Sequence, residues 1–209
     1  MIQVSILNVS AMTKADYENI ILKLSPYRRE RAQRYKIEQD RYLSAGAGYL
    51  LDCALKERGR RERDAEYTFN EHAKPYMGGL QFNLSHSGTL VALAVGEEEV
   101  GVDIEKITPV KEELIRRVCT ERELAYLNEA PQDRASAFFR LWTAKESAGK
   151  YLGIGLTDPK AFEVDLSLKS VTYKGERLNA TLKEYQLEGY ALTACGQEPF
   201  SNELITVTI

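Results

Sequence analysis

One order of predicted secondary structure occurs twice in this chain, and this repetition limits the possible folds more than any other feature. Residues 2–9 (IQVSILNV) are apolar and β-branched, which is typical of a strand, and a short helix, a longer helix and further strands follow. The same order begins again after Gly96, with no Pro- or Ser-rich linker between the two series. We therefore expect an α+β fold in which two similar halves pack side by side.

Short sequence echoes support the repetition and place its boundary. The segment YALTACGQE near the end of the chain resembles LVALAVGEE, which closes the first series of elements. We therefore assign residues 1–98 to an N-terminal half and residues 99–209 to a C-terminal half, with the two halves meeting near Glu97 to Val102.

Capping residues predict where several helices begin and end. Ser25, with Pro26 in the first turn, predicts the start of the short helix in the first half. Thr120 and Glu123 have the spacing of a capping box at the start of the short helix in the second half. The long second-half helix should end at Gly153, because glycine adopts the left-handed conformation that terminates helices.

Composition excludes several classes of protein. The 209 residues are 44% hydrophobic, which is enough for one or two sizeable cores, and the net charge of −3 does not favour binding to nucleic acid or to a membrane surface. The longest apolar run, Leu90 to Val95, is too short to span a bilayer, and the N-terminus has no basic leader. The three widely spaced cysteines favour free thiols in the cytoplasm over a disulfide framework or a zinc site.

The segment VGVDIEK carries two carboxylates on one face of a predicted strand. Strand side chains alternate, so Asp103 and Glu105 point to one side, about 7 Å apart, while Val102 and Ile104 point to the other. Two carboxylates at that spacing repel each other unless a cation lies between them, and magnesium prefers carboxylate oxygens. The alternative is a solvated acidic face on an edge strand, which is the more common case.

The segment FNLSHSG contains the second polar cluster. Asn83 and Ser85 alternate with Phe82 and Leu84, and His86 lies where the strand leads into a turn. The hydroxyl, the imidazole and the turn amides are all donors that suit phosphate oxygens. A nucleophilic serine is less well supported because the G-x-S-x-G spacing is absent, and a hairpin that satisfies only its own backbone groups is an equal alternative.

Charged residues interrupt the apolar side of the helix that contains LWTAKESAGKYLG. Lys145 falls in the middle of the apolar face on a helical wheel, and Glu146 falls at its edge beside Trp142. Glu146 and Lys150 are an i,i+4 pair, and such pairs usually lie on an exposed surface. Charges at the margin of an aromatic face more often indicate a cleft wall or an interface, which is the reading we favour here.

The basic run YRRERAQR supplies a possible anion-binding face. Arg28, Arg31 and Tyr35 share one side of the predicted short helix, and the planar guanidinium group suits phosphate. The alternative is a solvated helix in which Glu30 partners the arginines.

The order and spacing of FNLSHSG, VGVDIE and FRLWTAKESAGKYLG resemble those of the 4′-phosphopantetheinyl transferases, and of the surfactin type in particular. The resemblance extends from the arginine run to at least Gly155. It implies a monomer of two similar halves related by pseudo-twofold symmetry, with the active site between them. It also implies transfer of the phosphopantetheine arm of coenzyme A to a serine of an apo acyl, peptidyl or aryl carrier protein, with magnesium as cofactor and adenosine 3′,5′-bisphosphate as product.

The resemblance also implies roles for the residues in these motifs. Asp103, Glu105 and Glu146 match the magnesium carboxylates of the family, and Glu146 is in addition a candidate for activating the carrier serine, directly or through water. Lys150 and His86 match groups that stabilise the leaving bisphosphate. The nucleophile comes from the carrier, so no catalytic serine or cysteine of this chain is required.

Other matched residues would bind coenzyme A. Ser85 and His86 match residues that hold its phosphates, Lys74 matches a lysine near the nucleotide, and Arg28 and Arg31 occupy positions of basic residues for the 3′-phosphate.

One departure from the family pattern affects the nucleotide site. Many members have an arginine before the serine of the segment DRYLSAG, where this chain has Leu43, and Arg41 could substitute only from another face. Two other classes remain open: a metal-dependent hydrolase of coenzyme A or a related nucleotide, and a carrier-binding module without catalysis. The carboxylates and Lys150 disfavour the second of these.

Overall fold

The computed structural model describes residues 1–129 and 131–209, and over these residues the chain forms six α-helices and twelve β-strands. The helices are α1 (Lys14–Ile21), α2 (Pro26–Gln33), α3 (Glu38–Lys56), α4 (Glu112–Val118), α5 (Glu121–Glu129) and α6 (Arg134–Leu152). The strands are β1 (Ile2–Asn8), β2 (Tyr67–Phe69), β3 (Pro75–Met77), β4 (Gln81–Ser87), β5 (Leu90–Gly96), β6 (Val100–Lys106), β7 (Phe162–Asp165), β8 (Ser170–Tyr173), β9 (Glu176–Arg177), β10 (Thr181–Leu187), β11 (Tyr190–Gly196) and β12 (Phe200–Val207). The predicted α+β class is confirmed.

The predicted helix signals lie where the helices begin and end. The Ser25 hydroxyl accepts a hydrogen bond from the Arg28 amide at the start of α2, and Pro26 occupies the first turn. The Thr120 amide donates to the Glu123 carboxylate at 2.8 Å while the Glu123 amide donates to the Thr120 hydroxyl, which completes the capping box of α5. Gly153 ends α6 with a φ of 72°.

Two main sheets share one order of strands. The first sheet runs β12-β1-β5-β4, and the second runs β10-β11-β6. In the first sheet, β1 pairs with β5, and β4, the hairpin partner of β5, lies at the edge. In the second sheet, β6 pairs with β11, and β10, the hairpin partner of β11, lies at the edge. The last strand, β12, returns to pair in parallel with β1. The chain therefore repeats its strand order as well as its helix order.

Three hydrophobic cores hold these elements together. One packs α1 and α3 against the first sheet, with Leu51 and Leu93 fully buried, and a second packs α6 against α4, α5 and the strands of the second half. The third core lies between the two sheets and contains apolar side chains from β1, β5, β6 and β11, among them Val4, Val102 and Ile104. The side-by-side arrangement of the two sheets therefore rests on a shared apolar layer.

Helix α6 lies directly against strand β6 at one glycine. A Cβ atom at Gly101 would collide with the carbonyl oxygen of Ser147 on α6, so only glycine permits this approach. The close contact brings the last two turns of α6, with Glu146 and Lys150, to the acidic side of β6. Among the described residues, no helix is both long and apolar enough to cross a membrane.

Candidate active site

A cleft of about 340 Å³ lies where α2, α3, β4, β6 and α6 meet. Eight of the nine predicted site residues line it, and they include acidic groups, basic groups and a hydroxyl. The lining residues are Arg28, Arg31, Tyr35, Ser44, Ala47, Leu84, Ser85, His86, Asp103, Glu105, Glu146 and Lys150. Residues from both predicted halves therefore form one site.

Strands β4 and β6 are edge strands of different sheets, and side chains connect them. The Ser85 hydroxyl donates to Asp103 Oδ1 at 2.7 Å, and the Ser87 hydroxyl donates to Glu105 Oε2 at 2.7 Å. Asn83 Oδ1 accepts the Val102 amide at 2.9 Å. The alternation of polar residues along FNLSHSG thus serves the contact with VGVDIEK rather than a hairpin satisfied by itself.

Lys150 brings a positive charge to the acidic strand. Its ammonium group donates to Asp103 Oδ1 at 2.6 Å, to the Ser85 hydroxyl at 3.1 Å and to the Val102 carbonyl at 3.2 Å. The other carboxylate oxygen of Asp103 is buried and has no hydrogen-bond partner. That oxygen is a ligand atom available to a cation.

The two glutamates of the cleft are harder to ionise than free glutamate. Burial, followed by the charges of Asp103 and Glu105, raises the pKa of Glu146 to about 7, although Lys150 opposes this shift. Burial and the Asp103 charge also raise the pKa of Glu105, and the Ser87 hydrogen bond opposes it. Three carboxylates that share a half-buried cleft in this way favour a bound cation.

The carboxylates suit magnesium by their chemistry, although they are not arranged around a common point. No group of three or more His, Cys, Asp or Glu side chains in residues 1–129 and 131–209 is positioned to hold a metal ion. Lys150 and two serines use oxygens of Asp103 and Glu105 as hydrogen-bond acceptors. The all-oxygen donor set and the unpartnered Asp103 oxygen fit a hard divalent ion.

His86 lies at the exposed rim of the cleft, at the end of β4. Neighbouring atoms still exclude enough water from the ring to lower its pKa, and the positive charges of Lys150 and Arg31 lower it further. A neutral imidazole at physiological pH can therefore donate one hydrogen bond to a phosphate without adding a full charge.

Beside the arginines, the cleft includes a serine that no sequence motif indicated as a site residue. Arg28 and Arg31 line the cleft from one face of α2, as predicted, whereas Tyr35 lines it from beyond the end of this helix, and Glu30 pairs with Arg34 instead. Arg28 is only 5% exposed, and its Nη2 has no hydrogen-bond partner. The hydroxyl of Ser44 on α3 is likewise buried without a partner. Its position beside Leu43 in an apolar helix was the only available signal for it.

Three residues discussed above for the nucleotide site have surroundings other than the cleft: Lys74, Leu43 and Arg41. The Lys74 ammonium pairs with Glu99 and contacts the Val100 carbonyl, and Lys74 is not among the residues that line the cleft in the described part of the chain. Leu43 is buried in the first core. Arg41 lines a different cleft of about 460 Å³ between α1 and α3, so it does not take the place of the arginine that Leu43 replaces.

Lys145, which the helical wheel places in the middle of the apolar face, does not line the cleft. Its side chain is fully buried, pairs with Glu123 at 2.7 Å, and donates to the carbonyls of Val118 and Pro159 at 2.9 Å each. The same Glu123 carboxylate caps α5 and accepts the Val164 amide at 2.9 Å. Lys145 therefore joins α6 to α5 and to the segments around Val118 and Pro159, and of the described α6 residues Glu146 and Lys150 line the cleft.

The sequence is similar to that of known enzymes over most of its length. The sequence profile of the 4′-phosphopantetheinyl transferase superfamily matches residues 99–195. The chain is 33% identical to the 4′-phosphopantetheinyl transferase AcpT of Salmonella typhimurium over 150 residues, which cover 68% of this chain and 73% of AcpT. It is 30% identical to the 4′-phosphopantetheinyl transferase HetI of Nostoc sp. over 165 residues, covering 74% and 70% of the two chains.

The chain belongs to the 4′-phosphopantetheinyl transferase superfamily. It is also 27% identical to the 4′-phosphopantetheinyl transferase Sfp of Bacillus subtilis over 206 residues, which cover 94% of this chain and 92% of Sfp. The resemblance to surfactin-type phosphopantetheinyl transferases inferred from the motifs is thereby confirmed, and with it the enzyme class.

Proposed function

We propose that this transferase moves the 4′-phosphopantetheine arm of coenzyme A to a serine of an apo acyl, peptidyl or aryl carrier protein, and releases adenosine 3′,5′-bisphosphate. The observation that carries the proposal is the convergence of Asp103, Glu105, Glu146 and Lys150 with Arg28 in one cleft. Acidic groups suited to a metal thus lie next to cationic groups suited to phosphate, as a pyrophosphate substrate with a bound cation requires.

The basic side of the cleft binds coenzyme A in this proposal. Arg28, Arg31 and the Ser44 hydroxyl hold the 3′-phosphate, because two of these three side chains have buried polar atoms without partners. Ser85 and His86 donate hydrogen bonds to the pyrophosphate. The predicted contact of Lys74 with the nucleotide requires its ammonium group to exchange Glu99 for the ligand.

Asp103, Glu105 and Glu146 are the residues that would hold magnesium. The chemistry that magnesium supplies when bound is neutralisation of charge on the pyrophosphate oxygens. The serine oxygen of the carrier forms a bond to the β-phosphorus, and the bond from that phosphorus to the oxygen of the leaving bisphosphate breaks. Lys150 and His86 stabilise the negative charge on that oxygen.

Glu146 accepts the proton of the carrier serine in this proposal, directly or through one water. Its carboxylate makes no hydrogen bond to any described residue, so its oxygens remain free for this proton. Its pKa of about 7 means that the ionised form is available near neutral pH.

Helix α4 is the proposed docking surface for the carrier. Carrier proteins are acidic, while this chain has a net charge of −3, so a local basic patch is needed. Arg116 and Arg117 are exposed on α4 beside the half-buried Leu114, whereas Val118 is buried in the core and cannot take part.

We also infer that the two halves, residues 1–98 and 99–209, are related by pseudo-twofold symmetry. The matched strand orders β1-β5-β4 and β6-β11-β10 and the equal 19-residue lengths of α3 and α6 support this relationship. The enzyme should act as a monomer in the cytoplasm, which agrees with the free thiols of Cys53, Cys119 and Cys195.

Intact-mass measurement tests the proposed function. The protein is incubated with coenzyme A, magnesium and a panel of apo carriers, and a carrier that gains the mass of one phosphopantetheine supports the proposal. Omission of magnesium and a carrier with alanine in place of its acceptor serine are the controls. Release of free phosphopantetheine without any carrier would instead identify a hydrolase, and no reaction with any carrier would contradict the proposal.

A further inference from the structure

The N-terminus of α2 rests on a carboxylate that is completely buried. Glu62, in a 3-10 turn of Glu62–Asp64, has no exposed surface. Its oxygens accept the Ser25 amide at 2.7 Å, the Ser25 hydroxyl at 2.7 Å and the Tyr67 hydroxyl at 2.6 Å. Since Ser25 caps α2, the carboxylate fixes the helix that carries the cleft arginines.

Asp52 on α3 holds Glu62 in turn. Asp52 Oδ1 accepts the Glu62 amide at 2.9 Å and the Arg61 Nε at 3.0 Å. The position of Glu62 is therefore determined by the longest helix of the first half, and not by a flexible turn alone.

Tyr67 connects this carboxylate to Arg28. Its hydroxyl donates to Glu62 and accepts a hydrogen bond from Arg28 Nε at 3.3 Å, and its ring lies 5.4 Å from the guanidinium carbon. The ring of Tyr27 lies at 5.6 Å from the same carbon. Burial is the main cause of a raised pKa for Tyr67, so its hydroxyl keeps the proton that it donates.

This arrangement fixes Arg28 without neutralising it. In the described part of the chain no carboxylate lies within ion-pair distance of Arg28, although its side chain is nearly buried and its Nη2 is unpartnered. A buried cation without a counter-ion is costly, and an anion in the cleft would offset that cost. A direct contact with Glu62 would have satisfied the charge internally, whereas the neutral phenol between them leaves it for a ligand.

We propose that Glu62 and Tyr67 are positioning residues that hold the Arg28 guanidinium, uncompensated, toward an anionic phosphate of coenzyme A. The proposal rests on the proposed function, because it names the ligand of that same cleft. Neither residue touches the ligand, and both act on affinity through Arg28.

A double-mutant cycle tests the coupling between Tyr67 and Arg28. Tyr67→Phe removes one hydroxyl and keeps the ring, and Glu62 keeps its bonds to Ser25. We expect the variant to weaken coenzyme A binding by about two- to tenfold in calorimetric titrations, the range of an ordinary hydrogen bond, because Tyr67 acts on affinity only indirectly through Arg28. In an Arg28→Ala background the same substitution should have no further effect on affinity. At saturating coenzyme A, kcat should equal that of the wild type, while KM for coenzyme A rises.

Tyr49→Phe is the matched control, since it also removes one hydroxyl from a tyrosine, and this hydroxyl donates to the Thr208 carbonyl, away from the cleft. Its affinity for coenzyme A should equal that of the wild type. Unchanged affinity in Tyr67→Phe, an equal loss in the Arg28→Ala background, or a fall in kcat without a change in KM would overturn the positioning role. If the wild type neither binds coenzyme A nor modifies a carrier, the proposed function is wrong and this inference is wrong with it. If the wild type does both, the double-mutant cycle tests the positioning role alone.

Discussion

Replacement of Glu146 by glutamine should change how the folding stability of the metal-free enzyme depends on pH. The folded protein raises the pKa of Glu146 from its ordinary value of 4.5 to about 7, mainly by burial and then by the charge of Asp103. Between these values the unfolded chain has lost the proton while the folded chain still holds it. The stability of the wild type therefore falls as pH rises through this window, and levels off above about pH 7. Glutamine has the same shape and no charge, so the variant lacks the part of this fall that Glu146 causes.

The size of the effect follows from the shift. A rise from 4.5 to about 7 corresponds to roughly 3 kcal/mol of differential stability for a fully desolvated group. Glu146 is only half-buried, so solvent screening should reduce the difference to about 1–2 kcal/mol. Glu146→Gln should thus match the wild type near pH 4.5 and exceed its stability by that amount near pH 8.

Urea denaturation in the presence of a chelator, near pH 5 and near pH 8, measures the difference. Addition of magnesium at the higher pH should then stabilise the wild type more than Glu146→Gln, because the variant has lost a proposed ligand. A stability difference that is the same at both pH values would refute the burial argument. Equal stabilisation of both proteins by magnesium would refute the role of Glu146 as a metal ligand.

Three further changes test other parts of the site. Asp103→Ala should abolish carrier modification, and it should also cost about 1–3 kcal/mol of stability because it removes the partner of Lys150; near-native turnover at limiting magnesium would contradict the metal assignment. Reversal of both Arg116 and Arg117 to glutamate should raise the apparent KM for the carrier and leave coenzyme A affinity intact, and an unchanged KM at low salt would exclude α4 as the docking surface. Arg28→Ala should weaken coenzyme A by about tenfold or more in calorimetric titrations and leave 3′-dephospho-coenzyme A nearly unaffected, whereas equal weakening of both would place the 3′-phosphate elsewhere.

The parts of the fold that depend on local chemistry could be predicted from the sequence. The caps at Ser25, Thr120 and Gly153 are satisfied within a few residues of chain, so the sequence pattern contains both partners of each bond. The alternation around Asp103 and Glu105 also holds, because a strand places every second side chain on one side.

The partners of charged side chains could not be predicted in the same way. Lys145 lies one residue from Glu146 on α6, yet it is buried against Glu123, which is contributed by another helix. Lys74 pairs with Glu99, which lies 25 residues further along the chain. Periodicity gives the face on which a residue lies, but the element that covers this face is a property of tertiary packing. For the same reason Glu62 had no sequence signal beyond its polarity, and Ser44 had none beyond its place in an apolar helix.

The polar face of β4 shows why the site and the contact between the two main sheets are one structure. Each sheet ends at an edge strand, and exposed edges are a liability that proteins usually cover. Here Asn83, Ser85 and Ser87 extend from β4 to the backbone and carboxylates of β6. The hydrogen bonds that join the two edges therefore also orient Asp103 and Glu105. The same carboxylates lie beside α6, which approaches β6 at Gly101. The acidic group therefore forms only when β4, β6 and α6 are all in place, which explains why no single motif of the sequence defines the site.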